Sequence, residues 1–309
     1  MVREKELFKK LDFIPKPSIN NHNKIVRTYA DSLNYLKKDK SGLEKEIALH
    51  FLAYYEIGDL IPQTLDNVGS GHYFPYSESY SELENSYELC LEGFYSYAFA
   101  ALRSVLELGI MGIFFSVNDK EVEEVRPWIT SNERTPAFRK ALKRLKEIPC
   151  FKEFDNRFRF TENVLEIYDH LSGFIHTRGY KYSSRSKNRC NFNNFNEKAL
   201  MEYLNLMFSV VSNLIVLMII KYPIGIRPLP LSEKFGLNPS SGGFLEFYKI
   251  SYIKAVIGDD KTVFLEDISN NNSEVQGIVN EIESLPDLSD EELEEQFKLF
   301  DKLNKQIGD

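Results

Sequence analysis

FYSYAFAALRSVLELGIMGIFFSV, residues 94–117, decides the fold, because only two charges, Arg103 and Glu107, interrupt it. A helix apolar on every side has no face to give to water, so it belongs at the centre of a bundle. The chain therefore reads as mainly α, with other helices wrapped around this one. Upstream the helical pattern begins near Ser77, giving one long helix from Ser77 to Val117. NVGSGHYFP, Asn67 to Pro75, reads as a loop from its glycines and proline. Before it, SGLEKEIALHFLAYYEIGDLI carries a helical stripe of Leu43, Ile47, Phe51, Tyr54 and Ile57 or Gly58. Ser41 is its candidate cap, with Glu44 three residues on. The stretch to Lys40 shows weak helical signals.

Downstream, Thr135-Pro136 opens PAFRKALKRLKEI, where a proline suits the first turn. The next helix is expected over Thr161–His176, burying Val164, Leu165, Tyr168, Leu171 and Ile175. Arg178 to Asn196 is polar and reads as a loop. Glu197 to Tyr222 is the most apolar helix and Pro223 ends it. Its 18 uncharged residues, Tyr203 to Ile220, raise the question of a membrane span. Asn205, Ser209, Ser212 and Asn213 interrupt the run, and no second uncharged run of that kind exists, so a core helix is the preferred reading.

From Pro223 to Gly243 prolines and glycines mark a linker or an extended wrap. Beyond it, FLEFYKISYIKAVIG and KTVFLEDI are rich in β-branched and aromatic residues, separated by Gly258-Asp259-Asp260; they are expected to form a β-hairpin. An acidic helix from Pro286 to Ile307, capped by Ser289, carries Leu293, Phe297, Phe300 and Leu303 on one stripe. The expected organisation is a helical bundle over 1–222, a linker over 223–243, and a small C-terminal appendage of hairpin plus helix over 244–309.

Of 309 residues, 43% are hydrophobic and 27% charged, a globular composition that excludes disorder throughout. Three cysteines cannot complete a disulfide framework, and MVREKELFKKLDF lacks the apolar core of a secretory signal. The expected location is the cytoplasm, without a membrane. A net charge of −8 argues against a general nucleic-acid coat. The charge is uneven, however. Arg134–Lys198 holds 15 Lys/Arg against 7 Asp/Glu, net +8, whereas Glu266–Asp309 holds 13 Asp/Glu against 3 Lys, net −10. Two solvated faces explain this simply. A basic surface for an anionic partner, shielded by the acidic end, is the sharper reading.

Metal and cofactor sites find no support. Cys90, Cys150 and Cys190 are widely spaced, and His22, His50 and His72 are isolated. No H-E-x-x-H, P-loop, G-x-G-x-x-G or G-x-S-x-G occurs. Two local features remain. Arg103 and Glu107 are four apart and share a helix face, as a buried ion pair fixing register or as the lining of a polar pocket. In YDHLSGFIHTRG, Tyr168 to Gly179, a helix places Asp169, Ser172, Gly173 and His176 on one face. Gly173 permits close approach there. His176 falls at the helix end, as a cap for the last carbonyls or as a proton-transfer residue beside a basic loop of Arg178, Lys181, Arg185, Lys187 and Arg189.

ALRSVLE, Ala101 to Glu107, followed by a helix ending in LSGFIH, resembles the HEPN-like helical superfamily and bacterial relatives with R-x-x-x-E and L-S-x-x-x-H patterns. The resemblance covers about Ser77 to Tyr222. It implies a helical bundle that forms homodimers. Many members are metal-independent ribonucleases of bacterial toxin–antitoxin and phage-defence systems, and others are inactive binding modules. The nucleases carry R-x4–6-H on one helix, which makes His176 the histidine. The matching arginine positions hold Asp169, His170 and Leu171, so Arg103 or Arg178 would have to substitute. His176 would then move the ribose 2′-hydroxyl proton while a cation stabilises the phosphorane charge. Without that arginine, the expected function is a non-catalytic interaction or sensor module, with an RNA or a protein as partner. Glu107, Asp169, Ser172 and the basic loop are its candidate binding residues. The alternative is the ribonuclease.

Overall fold

The structure, a computed structural model, describes residues 19–38, 42–62, 73–117, 121–188, 193–236 and 243–307. Among them every regular element is a helix, as the apolar centre implies. The central stretch forms α4 (Tyr95–Phe115), preceded by α3 (Tyr73–Leu91), α2 (Leu43–Glu56) and α1 (Ile19–Lys38). α4 packs along α3, along α10 (Glu197–Lys221) and along α8 (Phe160–Ile175).

The expected single helix from Ser77 to Val117 is two. Gly93 adopts φ +82, its N–H donates to the Cys90 carbonyl at 3.0 Å, and Phe94 N–H donates to the Leu89 carbonyl at 2.8 Å. That pair of bonds is a Schellman stop, which favours glycine because a side chain is strained at this φ. The chain then doubles back. Ser79 and Ser86, seven apart on α3, are fully buried against α4 and donate to the carbonyls of Val105 and Ala98, both at 2.8 Å. Small residues let these two helices approach closely. On the other side of α4, a Cβ at Gly109 would lie 2.6 Å from Leu214 of α10, so the missing side chain sets that approach too.

Tyr73–Pro75, expected in a loop, begin α3; residues 67–72 lie outside the described residues. Ser41 also lies outside them, and Gly42 stands at the start of α2 with φ +88. Between α4 and α8 come α5 (Glu121–Ile129), α6 (Phe138–Arg144) and α7 (Phe151–Phe158). The helix expected from Pro136 starts two residues later, because Ala137 is still extended. Of the stripe expected on α8, Val164 and Leu171 are buried, but Ile175 is 44% exposed.

The C-terminal β-hairpin is not present. FLEFYKISYIKAVIG and KTVFLEDI form α12 (Phe247–Ile257) and α13 (Asp259–Asn271), separated by Gly258 at φ +84. Branched and aromatic residues suggested strands, yet the spacing is helical: Ile250, Ile253 and Ile257 are buried on one stripe, and so are Leu265 and Ile268. Burial in the core overrides the local strand preference. These two helices share the main hydrophobic core rather than standing apart from it. Lys249 secures the joint, with its ammonium 2.8 Å from Glu56 and 2.7 Å from Asp59. Inside 223–243, Leu231–Phe235 forms a short helix, α11. Leu229 and Leu231 pack with Val275, Val279 and Ile282 of α14 (Ser273–Ser284) in a second, small cluster. α15 (Asp290–Ile307) starts at the cap expected at Ser289, and the structure completes it as a capping box: the Ser289 N–H reaches Glu292 at 2.8 Å and the Glu292 N–H donates to the Ser289 hydroxyl at 3.3 Å. Its Phe297 and Phe300 are 56% and 53% exposed.

Both α4 and α10 are long and apolar enough to cross a membrane by length and composition, and 61% and 67% of their apolar windows are buried inside the protein. Three of the four polar residues interrupting α10 have a local explanation. Ser209, Ser212 and Asn213 line a cavity of about 580 Å³ shared with His50 and Lys261.

Candidate functional site

α4 and α8 cross with Phe99 stacked on Phe174 at 4.2 Å and Arg103 beside Tyr168. The expected Arg103–Glu107 pair forms, at 2.9 Å, and the Arg103 side chain is 14% exposed against 32% for Glu107. The same guanidinium nitrogen donates to the Tyr168 hydroxyl at 2.8 Å. Tyr168 is fixed in turn by Phe138 of α6, stacked 4.0 Å away at 6°. Arg103 is therefore committed twice, and its buried Nε finds no partner.

His176 lies eight residues beyond Tyr168, about 12 Å of helix rise away. The structure does not bring Arg103 to His176. The His176 backbone caps α8 by donating to the Ser172 carbonyl at 3.2 Å, while its side chain is exposed. The next residue, Thr177, takes φ +44. That left-handed conformation is uncommon for a β-branched residue and stores strain of order 1–2 kcal/mol.

The face proposed for Asp169, Ser172, Gly173 and His176 is not continuous. Asp169 is exposed and meets Arg139 at 3.6 Å, whereas Ser172 is buried and donates to the Tyr168 carbonyl at 2.7 Å. Gly173 is covered by Tyr182: a Cβ there would sit 2.4 Å from the ring. The expected loop over 178–196 contains a 3-10 turn at Tyr180–Tyr182 and one helical turn, α9 (Ser184–Lys187). Arg178, Lys181 and Arg185 are exposed, and Lys181 lies over the Tyr182 ring at 5.3 Å. Arg189 lies outside the described residues.

Lys187 does something else, which its place in a run of basic residues does not signal. It folds inward over Phe99 and Phe174, 5.5 and 5.4 Å from their centroids, to reach Glu202 of α10 at 2.5 Å. His170 Nε2 meets the same carboxylate at 3.3 Å. The cluster ties α8, α9 and α10 together. Phe174 and Tyr182 flank the His170 ring at 5.7 and 5.6 Å, so it is packed rather than presented. Hydrogen bonds from His170 first and Lys187 second hold the Glu202 carboxyl at about 2, against an ordinary 4.5, and outweigh the opposing effect of burial. A depressed carboxylate contributes stability above its unfolded value and loses it as pH falls towards its folded value. Glu202→Gln should therefore lower the melting temperature at neutral pH and flatten its decline between pH 4.5 and about 2. An equally steep acid decline in that variant would remove Glu202 from this role.

Among the described residues no three His, Cys, Asp or Glu side chains come together as a metal-ligand set. On the loop side, Lys187 and Lys198 line a cleft of about 780 Å³ at the start of α10. Comparison of the chain with protein-family models, with curated proteins and with solved structures finds no match.

Proposed function

We propose that this chain is a non-catalytic helical interaction module of the bacterial cytoplasm, working in a phage-defence or toxin–antitoxin setting, that offers the basic surface around 176–187 to RNA. The observation that carries this reading is the commitment of Arg103. With its guanidinium held by Glu107 and Tyr168, it is not free to stabilise a phosphorane at His176. The exposed Arg178, Lys181 and Arg185 instead supply phosphate contacts without chemistry. The family resemblance adds the expectation of a homodimer, to be checked by light scattering.

One observation favours the ribonuclease as second reading: the His176 side chain is exposed, next to a strained Thr177 and to Arg178. A single assay separates the two. Purified chain is incubated with several RNAs in EDTA. The expected result is salt-dependent binding, lost when Arg178, Lys181 and Arg185 become alanine, with the RNA intact. His176→Ala changes an exposed side chain, so stability should move by less than about 0.5 kcal/mol. Cleavage that survives EDTA and disappears in His176→Ala would establish the nuclease; no binding to any RNA would sink both readings.

A further inference from the structure

Away from the loop, the end of α4, α5 and α6 enclose a cleft of about 430 Å³ that includes Phe114, Phe115, Trp128, Arg134, Lys140 and Arg144. Trp128 is the only tryptophan of the chain. Its indole N–H is already used, donated to the Thr135 hydroxyl at 3.0 Å. Phe115 backs the ring at 5.4 Å and Phe74 meets it edge-on at 6.0 Å. A half-buried indole with a satisfied donor offers the cleft an apolar π surface and nothing polar.

Around it stand three cations and one carboxylate, Glu133. Arg144 lies over the Phe114 ring at 4.6 Å. Arg134 and Lys140 are exposed and have no ion pair among the described residues. The surroundings reinforce the sign of the charge: residues 134–147 hold six Lys/Arg against one Glu. A net positive cleft with an aromatic platform fits a ligand that is flat and apolar at one end and multiply anionic at the other. The volume suits such a molecule, since small-ligand pockets span roughly 300–1,000 Å³. Aromatic carboxylates satisfy only half of this description, because one charge leaves the second free cation unanswered.

We propose that this cleft binds a nucleotide, its base stacked on Trp128 and its phosphate held by Arg134 and Lys140. Stacking of bases on aromatic side chains together with cations along the phosphates is how proteins hold single-stranded nucleic acid without sequence preference, and the same pair of contacts serves one nucleotide. The inference does not rest on the 176–187 loop, and alanines at Arg178, Lys181 and Arg185 leave it standing.

The lone tryptophan makes the test direct, because its fluorescence reports this cleft alone. The full chain is titrated with adenosine monophosphate, adenosine triphosphate and a short oligoadenylate, with adenosine and phenyl phosphate alongside. Saturable quenching by the mononucleotides points to a free nucleotide, and quenching by the oligomer alone to one unit of a strand; either supports the proposal. Arg134→Ala/Lys140→Ala, two exposed changes that keep the reporter, should weaken binding about tenfold. Trp128→Phe, with its helicity checked by circular dichroism, should lose affinity in equilibrium dialysis. No saturable change with any nucleotide overturns the proposal. So does unaltered affinity in the double variant, or adenosine or phenyl phosphate binding as tightly as the monophosphate.

Discussion

Phe99→Ala is expected to lower the free energy of unfolding by about 3–5 kcal/mol, the range for deleting a fully enclosed aromatic ring. Phe99 has no exposed surface, stacks on Phe174 at 4.2 Å and meets Tyr203 at 5.9 Å. It lies where α4, α8 and α10 meet, so the hole left by its ring has walls on three helices. The same ring underlies Lys187, and its loss also loosens the tie to Glu202. The measurement is the urea midpoint at unchanged slope. Phe99→Leu, which refills most of the space, should cost clearly less. A loss below about 1 kcal/mol in the alanine variant would mean that the neighbours collapse into the gap.

Arg103→Ala comes next. Breaking a fully buried ion pair costs about 3–5 kcal/mol, because the abandoned charge keeps no partner. Here Glu107 is 32% exposed and would regain part of its hydration, which brings the expected loss to about 2–3 kcal/mol. The Tyr168 hydroxyl also loses its donor, and the aliphatic stem of the arginine leaves a gap. The melting temperature should fall by roughly 5 °C or more. Arg103→Met, which keeps the stem and removes only the charge, should recover part of the loss. A melting temperature unchanged in both variants would show that the pair contributes nothing to stability.

The centre of the bundle was legible because burial demands it. A run such as Phe94–Val117 has no other place to go, and the (i, i+4) spacing of Arg103 and Glu107 forces them onto one face. The break at Gly93 carried a weaker signal. A lone glycine inside a helical pattern is tolerated, and only the bonds to Cys90 and Leu89 show the stop. The stretch 244–268 misled for a different reason: its isoleucines, tyrosines and valines favour strands locally, while the three-and-four spacing of Ile250, Ile253 and Ile257 recorded the helix.

The site was less legible than the fold. Lys187 and Glu202 are 15 residues apart and His170 is 32 residues from Glu202, so no local pattern joins them. One cue was available. His170 falls one turn before Phe174 on the buried side of α8, where an imidazole needs a partner. Lys187, counted only as one more charge of a basic loop, turns its charge inward, and nothing in its neighbours' identities sets it apart from Lys181.

The enclosure of the α3–α4 pair also governs how the chain meets oxidants. Cys90, near the end of α3, has no exposed surface, and burial pushes its thiol well above the usual range. The thiolate is the reactive form of cysteine, so Cys90 is chemically silent while the bundle is closed. Cys150 is only partly covered, so between these two sulfurs peroxide or maleimide would mark Cys150 first, and modification of Cys90 would register that the central helices had come apart.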